Sequence, residues 1–561
     1  MCIMPCGVIP PERGIISFYQ MMNISDHLSD VSETKNFAVI PYFIRIKRRG
    51  TLYSIVSTAM IQGIRAVFVS VEADVSSGMP VFEMVGFLAS EVKEAKERVR
   101  TALRNSGFLL PAKRITVNVA PADVRKSGAG FDLPVALALL CAMGHLDRTA
   151  LADFFVTGEV GLDGKVQAVN GVLPMVAGAK ERGLTRCIVP LENKKEAQLV
   201  AGMQVYGVES IADSICAVNG EWTQGEEASA VCVEDAGEER LADFSDICGQ
   251  RIGKRACEIA VCGGHNLLLL GSPGSGKTML AARIPSILPP LLEEEQMELS
   301  KIYSVGGLFD KRKGLMRTRP FRAPHHTITA QGLAGGGAIP GPGEISFAHK
   351  GVLFLDELAE FDSRTLEILR QPLEERCVRL VRTQGSYEFP AEFMLVAAMN
   401  PCKCGYYPDM QKCRCTQTAI ERYLGRISGP LLDRIDICVE MPRLSFEELN
   451  QTGDAETSEI IRERVIAARR MQSERYRGET FLCNSQIPAE RVREFCGLDR
   501  RQEQFMEEVY QRLSLTARSY HKLLKVARTL ADMEQSAQIL MRHLTEAVCY
   551  RSIDKKFWER T

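Results

Sequence analysis

The feature that most narrows what this chain can fold into is one octapeptide, Gly271-Ser272-Pro273-Gly274-Ser275-Gly276-Lys277-Thr278, which matches G-x-x-x-x-G-K-[ST] throughout. It follows an apolar stretch predicted as a strand over 266–270 and precedes a predicted helix over 279–284. In that setting glycines let the backbone curl until its N–H groups and a helix N-terminus face phosphate. Lys277 is then placed to reach the outer phosphates and Thr278 to ligate magnesium. This part of the chain is expected to be an α/β layer that binds ATP and Mg2+.

Two more apolar runs supply the remaining chemistry. Gly351-Val-Leu-Phe-Leu-Asp356-Glu357 reads as a buried strand ending in adjacent carboxylates, with Asp356 expected on the metal and Glu357 as the general base toward water. Residues 393–400 read as a third strand ending in Asn400, whose amide can orient that water. An Asn at a strand end is often a turn former, so this role leans on the two preceding motifs.

At roughly 150 residues per domain, 561 residues allow three or four domains. The 45% hydrophobic and 25% charged fractions exclude a disordered, collagenous or fibrous chain. No apolar run reaches the roughly 18 residues that a bilayer span needs, and the N-terminus lacks a secretory pattern, so a cytoplasmic protein without a membrane partner is expected. The 18 cysteines are then expected to be reduced thiols. Lys+Arg 69 against Asp+Glu 70 leaves a charge of −1, so nucleic-acid binding would need a local basic surface.

Five segments follow from the pattern. Residues 1–51, with Lys47-Arg48-Arg49-Gly50 at their end, read either as translation upstream of a true start at Leu52 or as a disordered extension. Residues 52–220 form an α+β domain with strands from Ala66 and over 115–119, and helices over 90–106 and 133–143. Residues 221–246 carry nine acids against Arg240 and read as a linker. Residues 247–440 hold the nucleotide motifs, and 441–561 are helical, most clearly over 513–533 and 535–548.

The series Arg322-Ala-Pro-His-His326, Pro342-Gly-Glu-Ile345, 351–358, Met399-Asn-Pro-Cys402 and Ile427-Ser-Gly-Pro-Leu-Leu-Asp-Arg434-Ile-Asp resembles the YifB/ComM family of magnesium-chelatase-like AAA+ ATPases over residues 52–550. The resemblance implies an α/β multidomain chain. Its parts would be a Lon-protease-like α+β N-terminal domain, an AAA+ P-loop α/β domain and a C-terminal helical lid. It further implies a homo-oligomeric ring, usually a hexamer, with ATP between subunits, and within the family a DNA helicase that promotes branch migration in natural transformation. Arg434 is then the arginine finger toward a neighbour's γ-phosphate and Arg518 the sensor-2 arginine. An ordinary surface ion pair is the alternative for each.

Thr157-Gly-Glu-Val-Gly-Leu-Asp-Gly164 and the turn Lys126-Ser127-Gly128-Ala129-Gly130 resemble the Lon protease fold. Alignment sets Gly130 at the serine position and Leu173 at the lysine position, and neither can do that chemistry. A three-residue shift would promote Ser127, so residual peptidase activity stays open beside a scaffold or DNA-contacting collar.

Cys402-x-Cys404-x8-Cys413-x-Cys415 offers four soft ligands in one loop, compatible with Zn2+, with ordinary thiols or with redox chemistry. The loop is expected beside the Asn400 strand and away from the phosphate loop. Lys311, Arg312, Lys313, Arg317, Arg319 and Arg322 make 309–326 basic, and Arg379 and Arg382 lie on a predicted hairpin over 378–387. In a ring such segments can face a pore and hold single-stranded or branched DNA by its phosphates, or they can be solvated loops. His325 and His326 are expected on opposite sides of an extended chain, in packing or interface roles. A DNA motor and a chelatase- or MoxR-like ATPase that remodels a protein partner share these nucleotide motifs. The basic segments favour the motor.

Overall fold

The computed structural model describes residues 53–147, 149–222, 242–383, 385–444, 446 and 456–558. The expected extension 1–51 and residues 223–241 of the acidic stretch lie outside them.

The first sheet is mixed and seven-stranded. Its strands are β1 (Tyr53–Gln62), β2 (Arg65–Ser76), β3 (Val81–Val85), β4 (Arg114–Ala120), β5 (Phe154–Val156), β6 (Arg186–Pro190) and β7 (Gln204–Val208), in the order β3-β4-β2-β1-β5-β6-β7. β1 and β2 form a hairpin in register from Tyr53↔Asp74 to Gln62↔Arg65, and Gly63 turns it at φ +67°. Helix α1 (Ser90–Asn105) shows the expected amphipathic spacing. Helix α2 (Asp132–Ala142) is buried at every residue, which is why its sequence is apolar on all faces. Its buried Asp132 is neutralised by Arg98 through contacts of 2.8 and 2.9 Å. Helix α3 (Val172–Glu181) joins this sheet to the next body, where Gly171 N–H donates to the Ser304 carbonyl at 3.1 Å.

That body is built on five parallel strands: β8 (Leu267–Gly271), β9 (Phe321–Arg322), β10 (Val352–Leu355), β13 (Met394–Met399) and β14 (Ile437–Met441), in the order β9-β10-β13-β8-β14. Between β10 and β13 lies the expected arginine hairpin, β11 (Cys377–Arg382) with β12 (Gly385–Pro390). Leu267 to Leu270 are fully buried, as a strand covered on both faces requires. Helix α4 (Arg251–Gly263) packs beneath, and the phosphate-loop helix α5 (Lys277–Ala281) is shorter than predicted. The helix resumes at Ile284–Ile287, since Pro285 has no N–H to continue the ladder. Helix α6 (Glu293–Val305) carries the seam to the first sheet.

The C-terminal part is helical: α7 (Ser458–Arg475), α8 (Arg500–Arg512), α9 (Ala517–Met533) and α10 (Met541–Phe557). The helix predicted from 513 begins at Ala517 because Ser514 adopts φ +38° and Thr516 caps the first turn through Ser519 N–H. The one predicted over 535–548 begins at Met541, after Gln535 has turned the chain at φ +54°.

Candidate nucleotide site

The phosphate loop joins the end of β8 to α5, with Gly274 and Gly276 at φ +77° and +87°. No atom lies within 4 Å of where a side chain would begin at either, so the mouth of the cradle is open to a phosphate chain. The Lys277 ammonium donates to the carbonyls of Gly271 (2.9 Å) and Ser272 (3.0 Å) and to Asn400 Oδ1 (3.1 Å). Burial pushes this ammonium below its ordinary value, with the Asp356 carboxylate acting against the shift. An arriving phosphate would therefore meet a poorly solvated cation. The Thr278 hydroxyl donates to Asp356 Oδ2 at 2.6 Å, so two hard oxygen ligands stand together where one magnesium ion would need them. Sequence reasoning missed Gln250, buried below the loop, whose amide donates to the carbonyls of Ser275 (2.9 Å) and Pro442 (2.8 Å) and ties the cradle to the end of β14. Only its place in a Gly-Gln pair ahead of α4 marked it.

Glu357 stands beyond Asp356 in the left-handed region, at φ +51°, a conformation that costs a non-glycine residue on the order of 1 kcal/mol. Its own N–H donates to Asp356 Oδ1 at 2.9 Å, and its Oε2 lies 3.4 Å from His326 Nδ1. The two histidines do not point apart. Their rings lie side by side with centroids 4.1 Å apart and planes tilted by 34°, because the chain turns at His325–Ile328, where Ile328 N–H donates to the His325 carbonyl at 2.9 Å and extension was expected. His325 is braced by the Thr327 hydroxyl at 2.9 Å, and His326 is thereby held toward Glu357. Replacing His326 by Ala is expected to lower ATP turnover about tenfold through misplacement of Glu357, with nucleotide affinity unchanged, as steady-state hydrolysis beside equilibrium binding would read.

Arg434 and Arg518 lie elsewhere. Asn266, one residue before β8, donates to the Arg434 carbonyl at 2.8 Å, whereas the phosphate loop leaves β8 at Gly271. Five residues of strand put these ends about 16 Å apart. Both guanidinium groups pair with Glu374, Arg434 at 2.6 Å, in a cleft of about 800 Å3 that is also lined by Arg376, Lys522 and Lys525. Burial alone would raise the Asp436 carboxyl there, yet Lys522 at 2.9 Å and His265 hold it far below the usual carboxylate range. The cleft is thus a mostly cationic pocket at the end of the sheet away from its own phosphate loop.

The cysteine loop lies against the cradle itself. Gly405 packs so closely on Pro273 that a side chain there would begin 2.3 Å from the Pro273 ring. The expectation that this loop avoids the phosphate loop is therefore wrong, and the cause is the turn Cys402–Gly405, closed by Gly405 N–H to the Cys402 carbonyl at 3.0 Å.

Three family models match along the chain: Magnesium chelatase, subunit ChlI, over 243–449; Subunit ChlI of Mg-chelatase, over 71–193; and Magnesium chelatase, subunit ChlI C-terminal, over 455–551. The chain is 43% identical over 505 residues to YifB of Escherichia coli K12, covering 90% of this chain and 97% of that protein. It is 42% identical over 506 residues to the competence protein ComM of Haemophilus influenzae Rd, covering 89% and 97%. The chain belongs to the YifB/ComM family of magnesium-chelatase-like proteins. Membership implies ATPase activity with ATP and Mg2+, and an oligomer.

A Lon protease of Finegoldia magna is 29% identical over 139 residues, covering 24% of this chain and 18% of that protein. In this YifB/ComM chain the turn expected at the serine position holds Gly130 against Thr157, whose Oγ1 lies 2.8 Å from where a side chain would begin. Leu173 is fully buried in α3, and Lys126 is buried with its ammonium on the Pro121 carbonyl. Neither of the two aligned positions therefore offers a serine or a lysine, and Ser127 remains beside the turn. The basic segment is also less available than its composition suggested. Arg319 donates to the carbonyls of Pro289 (2.6 Å) and Lys350 (2.7 Å) and to Glu295 (2.9 Å), and Arg322 grips Glu344 with two bonds of 2.6 Å. Arg312, Lys313 and Arg317 are exposed, as is Arg382 on the hairpin. Among the described residues no helix is long and apolar enough to cross a membrane.

Proposed function

We propose that the chain is one subunit of a ring-shaped ATPase, a hexamer, that moves on DNA as a helicase and promotes branch migration in recombination or natural transformation, in the cytoplasm. The observation that carries the ring is the split of the hydrolytic groups. Lys277, Thr278, Asp356, Glu357 and Asn400 stand at one end of the parallel sheet, Arg434 and Arg518 at the other. A neighbour's arginines complete each site by stabilising charge on the transferring phosphoryl group. Thr278 and Asp356 would hold magnesium, which would supply charge neutralisation at the outer phosphates; Lys277 orients those phosphates, Asn400 fixes Lys277 and Glu357 takes the proton from water. The DNA reading is supported by the exposed Arg312, Lys313, Arg317 and Arg382 and by 42% identity to a competence protein.

The alternative, a chelatase-like remodeller of a protein partner, draws support from the engagement of half-buried Arg319 and Arg322 in ion pairs. ATPase rate with and without single-stranded or four-way-junction DNA separates the two. DNA is expected to stimulate hydrolysis and ATP to drive strand exchange on a labelled junction. Replacing Arg312, Lys313 and Arg317 by Ala should weaken binding and flatten its salt dependence by about 0.7–0.9 in log–log slope per lost phosphate contact. A rate indifferent to DNA, with no strand exchange, leaves the remodeller.

A further inference from the structure

Residues 401–416, between β13 and the helix Gln417–Leu424, contain neither helix nor strand. A loop of this length in a packed body needs something to hold it. Four cysteines converge inside it. The sulfurs of Cys402 and Cys404 lie 3.3 Å apart, those of Cys404 and Cys413 3.5 Å, and those of Cys402 and Cys413 3.7 Å. All four, with Cys415, lie within 4.8 Å of one another. A disulfide needs about 2.05 Å between sulfurs. Four thiolates at about 2.3 Å from one central ion stand roughly 3.8 Å apart, which is close to the spacing found. The set is too tight to enclose two metal centres, and four soft ligands without a carboxylate select a thiophilic ion over magnesium.

The same loop touches the nucleotide cradle at two places. Cys402 follows Asn400 by two residues, and Asn400 Oδ1 receives the Lys277 ammonium at 3.1 Å. Gly405, at φ +81° between the second and third cysteines, presses on Pro273 of the phosphate loop.

We propose that Cys402, Cys404, Cys413 and Cys415 bind one zinc ion as a tetrahedral thiolate site, and that this site buttresses the phosphate loop through Gly405–Pro273 and Asn400–Lys277. The ion is structural, with all four positions filled by protein, and contributes by fixing a loop that would otherwise let the cradle relax. The buttress rests on the nucleotide reading of that loop; the metal site does not.

The test uses the full chain purified without chelators. Elemental analysis is expected to give about one zinc per chain, and cobalt in its place the strong visible absorption of a tetrahedral thiolate site. A Cys404→Ser/Cys415→Ser double variant should lose the ion and bind a fluorescent ADP analogue at least about tenfold more weakly, because small displacements of a positioned group carry penalties of that size. Cys549→Ser, an exposed cysteine on α10, should change neither. Should the double variant not fold, zinc is drawn from the wild-type protein with a high-affinity chelator while circular dichroism confirms that the fold persists, and ADP affinity is read again. Metal-free wild-type protein, iron in place of zinc, or zinc retained by the double variant overturns the site. Zinc loss with unchanged ADP affinity overturns the buttress alone. Wild-type protein that holds zinc but binds no nucleotide overturns the reading of the phosphate loop, and the buttress with it.

Discussion

Replacing Glu357 by Gln is expected to lower ATP turnover about 10²- to 10⁴-fold, the contribution of a positioned general base, while Mg–ATP binding persists. The amide is nearly the same size but cannot accept a proton. Lys277, Thr278 and Asp356 remain as they are, and the left-handed backbone at φ +51° is set by the chain around residue 357. Rapid-quench or coupled-assay turnover, beside nucleotide affinity by equilibrium titration, checks both halves. Turnover near wild type would remove Glu357 from its role.

Arg434→Ala is expected to cost more, about 10³- to 10⁵-fold in turnover, as for a charge supplied to the phosphoryl group in flight. Its side chain is nearly buried on Glu374, at the sheet end away from its own phosphate loop, so the loss should be repaired in trans. Neither Arg434→Ala nor Glu357→Gln rings should turn over alone. Mixed rings contain interfaces where the Arg434→Ala subunit contributes an intact Glu357 and its neighbour an intact Arg434, and these should hydrolyse ATP. Activity that never returns in demonstrably mixed rings would place the arginine's action within its own subunit.

The motifs that were legible in the sequence are those whose chemistry is local. An octapeptide fixes its own backbone path, and buried strands of Leu, Val and Phe declare themselves because parallel strands covered on both faces carry no polar alternation. Helix α2 was legible for the same reason, and the arginine hairpin β11–β12 from its spaced charges. What escaped depends on partners distant in the chain. Strand β1 was missed although it pairs with β2 along its whole length. The contact of the His325 ring with that of His326 follows from a turn with no glycine to announce it. Gln250 acts on Ser275 and Pro442, 25 and 192 residues away, and Gly405 meets a proline across the fold. Arg319 and Arg322 counted as surface charge until Glu295 and Glu344, also remote, were seen to claim them.

Strand β8 has one property that its length alone confers. Asn266, at its start, holds the Arg434 carbonyl and receives Leu395 N–H at 3.0 Å, and Gly271, at its finish, begins the cradle. Between them stand four leucines with no exposed surface, in an interior packed too densely to absorb a displacement. Such a strand is a short strut, with both ends tied to one packed core. In a ring assembled as proposed, one buried strand would thus join the cradle a subunit closes on its own nucleotide to the arginine it offers to its neighbour's.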